Sequence, residues 1–366
     1  MRGMTSSPAP PAAATTPARP LLTLGGSDHH DVDPLSVAEQ ARGLRAADDP
    51  VAAALDDAER AADLAGGGSG PAPLSASGLL RRWTFLAGLG AGDLTVARTL
   101  EPHLDALAIL DEAGSSAPAA GTRWGVFAAG GPGRLAAART TDGWVLSGVK
   151  SWASLSPRLD GALVTAQDDD GAQRLFRVDL TGTGVRVEPS AWTPRGLELI
   201  ETPELAFDRV EAEPVGEPGW YVERPGFAAG GVGVAAMWFG AAVALADQLS
   251  AAAAHRAPDQ IALLHIGACR VALTSARSQL ERAAYAVSRS PSSEAALAVM
   301  HEVRAAVALA CEEVLTRVGH GLGPGPLVRD PEHARRVADL TVFQRQHHAE
   351  RDLAALGALV VQEAGA

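Results

Sequence analysis

A chain of 366 residues with 47% hydrophobic content is long enough for two or three domains and a buried core. Its net charge of −12 excludes the basic footprint that nonspecific nucleic-acid binding needs, and two cysteines, Cys269 and Cys311, exclude a disulfide framework. Only 4% of the residues are aromatic and many are Ala, which suggests helices packed closely through small side chains.

Residues 1–33 are low in complexity and read as a flexible tail. No apolar run follows Arg2 as in a secretory signal. The apolar stretch from Phe227 to Ala254 is interrupted by Gly, Asp247 and Gln248, so a cytoplasmic protein without membrane contact is expected. His29-His30-Asp31 puts three ligand types in a row, a spacing that cannot easily serve one ion.

Between Pro34 and Ala65 apolar residues recur at helical spacing. After a Gly-rich loop at 66–71, Leu79 to Leu89 is a second helix. Asp93 is placed to cap a third, running to about Leu110, with Pro102 as a possible interruption. From Trp124 to about Pro214 short β-like runs alternate with turns, as in a small sandwich or barrel. Within them Asp142-Gly143 is a turn, Trp144 to Ser147 a strand, and Gly148 a bend that delivers Trp152 and Ser154. An indole face beside a hydroxyl suits one side of a planar ring cofactor.

From Pro225 four long helices imply an antiparallel bundle: about 227–256, 258–288, 292–318 and 331–359. Gly231-Val-Gly233-Val-Ala-Ala236 imitates a dinucleotide fingerprint but lacks the preceding strand, so close helix packing explains its glycines. The overall expectation is an α+β protein: a tail over 1–33, an N-terminal helical domain over 34–120, a middle β domain over 121–222 and a helical bundle over 223–366.

The run Asp142-Gly-Trp-Val-Leu-Ser-Gly-Val-Lys-Ser-Trp-Ala-Ser154 resembles the D-G-x-x-x-x-G-x-K-x-W-I-T-N segment of the acyl-CoA dehydrogenase family. Leu205 to Val210 is similar to the L-x-F-x-x-V run that closes the family's β domain. The resemblance covers roughly residues 75–360 and implies FAD, with Trp152 and Ser154 against the flavin ring and N5. The family's T-E-P-x-x-G-S-D loop is replaced by a Gly-rich stretch, where backbone at Ala129, Gly130 and Gly131 would face the ring without the usual side chains. His103, one position later than the family's helical His, is a substrate-pocket candidate, with a helix-packing His as the alternative.

In the last helix, with one residue inserted, Ala338-Asp339-Leu340-Thr341 falls on the family's Y-E-G-T. This makes Asp339 the base that takes the proton α to a thioester carbonyl and sets Thr341 beside the cofactor. The alternative for Asp339 is a carboxylate paired with Arg335 or Arg336. Helical spacing would put Gln346 near the same face as Arg335 and Asp339. His347 is a further substrate-pocket candidate, since flavin monooxygenases of this fold often carry a polar residue or His in place of the base. His320 and Gly321 stand in a Gly-rich loop where the family approaches the FAD pyrophosphate, and Arg256 resembles an Arg that contacts it. The resemblance thus implies α,β-dehydrogenation of an acyl thioester, an electron-transfer acceptor, a homodimer or homotetramer, and no metal. A monooxygenase or a catalytically silent flavin-binding homologue is the rival expectation.

Overall fold

The computed structural model describes residues 19–25, 31–66, 73–188, 192–255, 258–290 and 292–365. His29, His30 and Arg256 lie outside the described residues. Six helices open the chain: α1 (Arg19–Leu22), α2 (Pro34–Arg45), α3 (Pro50–Asp56), α4 (Ala58–Ala65), α5 (Ala76–Gly92) and α6 (Leu94–Glu112). Asp33, Asp49 and Ser75 cap α2, α3 and α5 with side-chain oxygens, and Asp93 caps α6 by accepting from the Thr95 and Val96 amides. Pro102 sits inside α6 without ending it.

The middle strands are β1 (Trp124–Phe127), β2 (Leu135–Arg139), β3 (Trp144–Lys150), β4 (Gly161–Gln167), β5 (Gln173–Asp179), β6 (Val185–Glu188) and β7 (Glu204–Val215). They form one seven-stranded sheet in the order β1-β4-β2-β3-β7-β5, which closes on itself because β5 also pairs with β4. Closure leaves β1 and β6 as attachments to β4 and β7. Gly148 has φ of 122° and marks a register shift between β3 and β7. A Cβ there would lie 2.2 Å from the Arg134 carbonyl oxygen, so the expected bend is a bulge that only glycine permits.

The C-terminal part comprises α7 (Trp220–Glu223), α8 (Pro225–Ala254), α9 (Gln260–Ser288), α10 (Ser293–Leu322), α11 (Gly325–Arg329), α12 (Pro331–Phe343) and α13 (Glu350–Gly365). α8 is long and apolar enough to cross a membrane, with mean hydropathy 1.7 over 18 residues. It is instead the central helix of the bundle, with 78% of that window buried. Gly90 of α5 and Gly240 of α8 make this possible. A Cβ on Gly240 would stand 1.9 Å from the Ala87 oxygen, and one on Gly90 would stand 2.1 Å from the Met237 oxygen. Gly231 and Gly233 pack against Met300 and Leu86 within α8, as expected for close helix packing.

Four expectations are corrected. The tail over 1–33 is not wholly free of the core: Leu21, Leu22 and Leu24 are buried, and the Leu24 amide donates to Thr84 Oγ1 at 3.1 Å. The 319–325 segment is no loop through Leu322, because α10 continues over Gly319 and Gly321; at Gly321 the missing side chain lets the helix lie on Leu249. The single last helix is two, with a break between Phe343 and Glu350. There Arg304 Nη2 claims the Gln346 carbonyl at 2.8 Å and Asp352 accepts from the His348 amide, so helical bonds give way to tertiary ones. Finally, one apolar cluster runs from Leu21 to Phe343, so the N-terminal helices and the bundle share a core.

Candidate active site

Past the β3 bulge the chain makes a tight corner. Trp152 has φ of 63°, a conformation costly for a side chain this large, and its indole is 53% exposed. Beside it the Ser151 hydroxyl donates to Glu204 Oε1 at 2.8 Å and accepts from the Gly133 amide at 3.1 Å. Gly131 packs against Ser151 and the Trp152 ring edge, where a Cβ would clash at 2.5 Å. The structure therefore brings Gly131, with its neighbours Ala129 and Gly130 on the same exposed loop, to Ser151 and Trp152.

Lys150, just before the corner, is buried and donates to Thr165 Oγ1 at 2.8 Å, and burial pulls its amine down to about 8. It anchors the ledge from beneath.

Ser154 faces α6. Arg98 Nη2 donates to Ser154 Oγ at 3.3 Å, and Thr202 Oγ1 lies 3.1 Å from the same atom. One turn on, Glu101 Oε2 is 3.7 Å from Arg98 Nη1. Burial drives the Glu101 carboxyl up to about 7; Arg98 opposes the shift and Asp105 adds to it. Behind Glu101, Arg304 lies over the Trp238 ring and donates to the Gly231 and Gln346 carbonyls, both at 2.8 Å. His347 is buried next to this segment; Nε2 makes no hydrogen bond and lies 4.0 Å from Asp352 Oδ2, and burial lowers the ring's pKa while Asp352 opposes the shift. A line of groups thus runs from Ser154 through Arg98, Glu101 and Arg304 to Gln346 and His347.

The other sequence candidates fall elsewhere. Asp339 is buried on α12, where its Oδ1 accepts the Leu197 amide at 2.6 Å. It thereby pins the Arg195-Gly196-Leu197 turn, whose Gly196 Cα touches the α12 backbone so closely that a Cβ would be 2.0 Å from the Ala338 oxygen. Burial raises the Asp339 carboxyl to about 6, while the Leu197 amide pulls it back. The space bordered by Asp93, Leu94, Glu332, Arg335, Arg336 and Asp339 holds about 10 Å³, less than a substrate needs. Arg335 and Arg45 pair with Asp93, and Arg336 donates to the Ala91 and Gly92 carbonyls, so this cluster fastens α12 to the α5–α6 corner.

Thr341 is exposed and returns its hydroxyl to the Val337 carbonyl. Gln346, in the break after α12, does not share a helical face with Asp339; its carbonyl, taken by Arg304, is what joins the site. His103 is buried, and Nδ1 accepts the Trp124 amide at 3.2 Å, fixing the start of β1 to α6. His320 stacks edge-on with His265, 5.8 Å between centroids, at the far end of α10 beside Gly321.

No protein-family model matches the sequence, and no curated protein matches it. Solved structures do. TdsC from Paenibacillus sp., in a complex with FMN and indole, superposes with TM-score 0.73 at 16% identity over 90% of this chain and 96% of TdsC. Butyryl-CoA dehydrogenase from Megasphaera elsdenii gives 0.73 at 17% identity over 90% and 97%. The chain has the acyl-CoA dehydrogenase fold. KijD3, in complex with FMN and a dTDP-linked amino keto sugar, shares it at TM-score 0.72 and 20% identity, covering 96% of this chain and 95% of KijD3.

Set in the acyl-CoA dehydrogenase fold, the Trp152–Ser154 corner belongs to the β domain, and Arg98 and Glu101 to the N-terminal helices. Gln346 and His347 come from the C-terminal part. All three parts meet at this line of residues. Sequence reasoning missed Arg98, Glu101 and Arg304. Only the apolar setting of α6, with a charged pair inserted at i and i+3, hinted at the first two.

Proposed function

We propose that the protein is a flavin-dependent oxidoreductase whose reaction space lies between the Trp152–Ser154 ledge and the Arg98–Glu101 face of α6. The carrying observation is that one guanidinium, Arg98, donates to the hydroxyl that the resemblance places at flavin N5 and lies 3.7 Å from Glu101, a carboxyl of near-neutral pKa. The ledge fits a planar ring: an exposed indole in a strained corner, the Ser154 hydroxyl, and a Gly-rich loop against the indole. Trp152, Ser154 and the 129–131 backbone would hold the ring. When bound, flavin supplies the acceptor for the hydride equivalent that leaves the substrate.

Glu101 takes the proton. Above about pH 7 it is a carboxylate, and burial makes it a stronger base than an ordinary glutamate. Abstraction from the carbon α to a carbonyl, with loss of hydride from β, leaves a C=C bond and a protonated Glu101. The Arg98 guanidinium holds Glu101 in place and Ser154 beside it. Asp339 enters as the residue that positions the Leu197 turn, while the acid–base role passes to Glu101. The acyl thioester, the electron-transfer acceptor and a homodimer or homotetramer complete the proposal, as the resemblance implies. FAD is likewise implied by the resemblance, whereas the TdsC and KijD3 complexes hold FMN; the flavin released on denaturation identifies the nucleotide directly.

A monooxygenase is the second reading, favoured by the buried His347, whose Nε2 makes no hydrogen bond, and by the fold shared with TdsC, a dibenzothiophene monooxygenase. The visible spectrum of the purified protein, before and after anaerobic addition of acyl-CoA thioesters, tests both. Bleaching supports dehydrogenation. Flavin that stays oxidised, but after chemical reduction consumes oxygen and yields a hydroxylated product, supports the second reading. Absence of flavin even after reconstitution overturns both.

A further inference from the structure

Among the chain's 31 lysine and arginine residues only one is a lysine, and that one, Lys150, is buried. Every other basic side chain is Arg, so a compact ammonium stands here where the sequence otherwise uses a planar fork. An ammonium has three N–H donors. Thr165 takes two of them, with its carbonyl oxygen 3.2 Å and its Oγ1 2.8 Å from Nζ. Among the described residues no third acceptor is hydrogen-bonded to Nζ and no carboxylate pairs with it. Glu204 adjoins Leu205, the ladder partner of Lys150, but it accepts from the Ser151 hydroxyl and so belongs to the opposite face of the sheet. Burial alone lowers the amine to about 8, with no charged neighbour adding to the shift or opposing it, so the charge persists at neutral pH.

Thr165 Oγ1 lies 3.5 Å from the Phe127 carbonyl oxygen and 3.4 Å from that of Ala128. Ala128 opens the Gly-rich loop, and Gly131 of that loop lies on Ser151 and the Trp152 ring. Lys150 thus sits beneath the same loop and corner that would hold a flavin ring. A buried cation without an anion is costly, and the residues of the ledge offer none.

We propose that Lys150 supplies the positive charge that stabilises the flavin ring once it has accepted hydride. This inference rests on the flavin reading above. Hydride carries two electrons and one proton to the ring, so a neutral ring becomes an anion. The Lys150 ammonium offsets that negative charge through the protein interior without giving up a proton. Reduced flavin is therefore held more tightly than oxidised flavin, which raises the potential of the bound ring.

Redox titration of the FAD- or FMN-loaded protein against a reference dye tests it, beside Lys150→Met, which keeps a long side chain without its charge. The variant's preference for reduced over oxidised flavin should fall by about tenfold, a drop in potential of about 30 mV for a two-electron couple. A lysine that only props the loop would, when replaced, weaken both forms alike and leave the potential where it was. Above about pH 8, where the amine is neutral before reduction, the wild type should take up a second proton with the two electrons, and Lys150→Met should not. Glu101, which titrates near pH 7, acts in both proteins alike. An unchanged potential, or the same proton count in both proteins, overturns the proposal and leaves the flavin reading intact. A wild-type protein that binds neither FAD nor FMN overturns the flavin reading and this inference together. Should Lys150→Met not fold, the proton count in Glu101→Gln decides: a second proton above about pH 8 upholds the proposal, and one proton throughout overturns it.

Discussion

Arg98 of α6 donates a hydrogen bond to Ser154 of the β domain, 3.3 Å from Nη2 to Oγ, and this contact joins the two parts of the chain at the site. Ser154 is itself held by the corner that strains Trp152, since the Ala153 and Leu155 amides on either side donate to the Pro203 and Glu201 carbonyls.

That strain yields the first prediction. Trp152 leaves 53% of its surface exposed and occupies the left-handed region at φ 63°. Trp152→Gly should therefore raise stability by about 1 kcal/mol while weakening flavin binding by about tenfold. Chemical denaturation and flavin titration on the same preparation measure both. A glycine variant that is less stable and still binds flavin as tightly as wild type would remove the corner from the site.

Glu101 and Asp339 separate by kinetics. Glu101→Gln should lower kcat by about 10²–10⁴ and erase the limb of kcat/KM that rises with pH through about 7. Asp339→Asn still offers an oxygen to the Leu197 amide, so turnover and the pH limb should persist. Asp339→Leu leaves that amide unpaired and should cost about 1–3 kcal/mol of stability. If Asp339→Asn alone abolishes the limb, the base is Asp339.

The same two carboxyls give stability a pH dependence. Folding raises Glu101 from 4.5 to about 7 and Asp339 from 3.8 to about 6, in both cases chiefly through burial. Between the unfolded and folded values the native state binds more protons than the unfolded chain. Their contribution is therefore greatest below about pH 4 and is lost as pH rises to about 7. Urea midpoints at several pH values should show this slope, flattened in Glu101→Gln.

The crossing of α5 and α8 admits no side chain. Gly240→Ala should cost about 3 kcal/mol or more, because its Cβ would press on the Ala87 carbonyl, which is backbone and cannot rotate away. Thermal unfolding of the variant checks this. A small change in Tm would mean that the helices separate more freely than their packing implies.

How much of this was legible in the residues differs by element. The Asp93 cap, the turn at Asp142-Gly143 and the bend at Gly148 are local matters of backbone chemistry, and each was readable in the sequence. The ends of the long helices were less so: α10 runs past Gly319 to Leu322, with Leu249 packed on Gly321, and the helix after Pro331 breaks because Arg304, 42 residues before Gln346, takes that residue's carbonyl. The Trp152–Ser154 ledge was found from its motif, while Arg98 and Glu101 passed unnoticed.

The sequence by itself determined the helical–β–helical order and the corner that exposes Trp152, because periodicity, capping and glycine placement act within a few residues. Only the tertiary structure decided which carboxyl shares Arg98 with Ser154. Burial and charge pairing depend on neighbours from α6, α10 and α12 that are far apart in the chain. Asp339 and Glu101 are both acids on apolar helices, but packing ties one to the Leu197 amide and leaves the other facing Arg98.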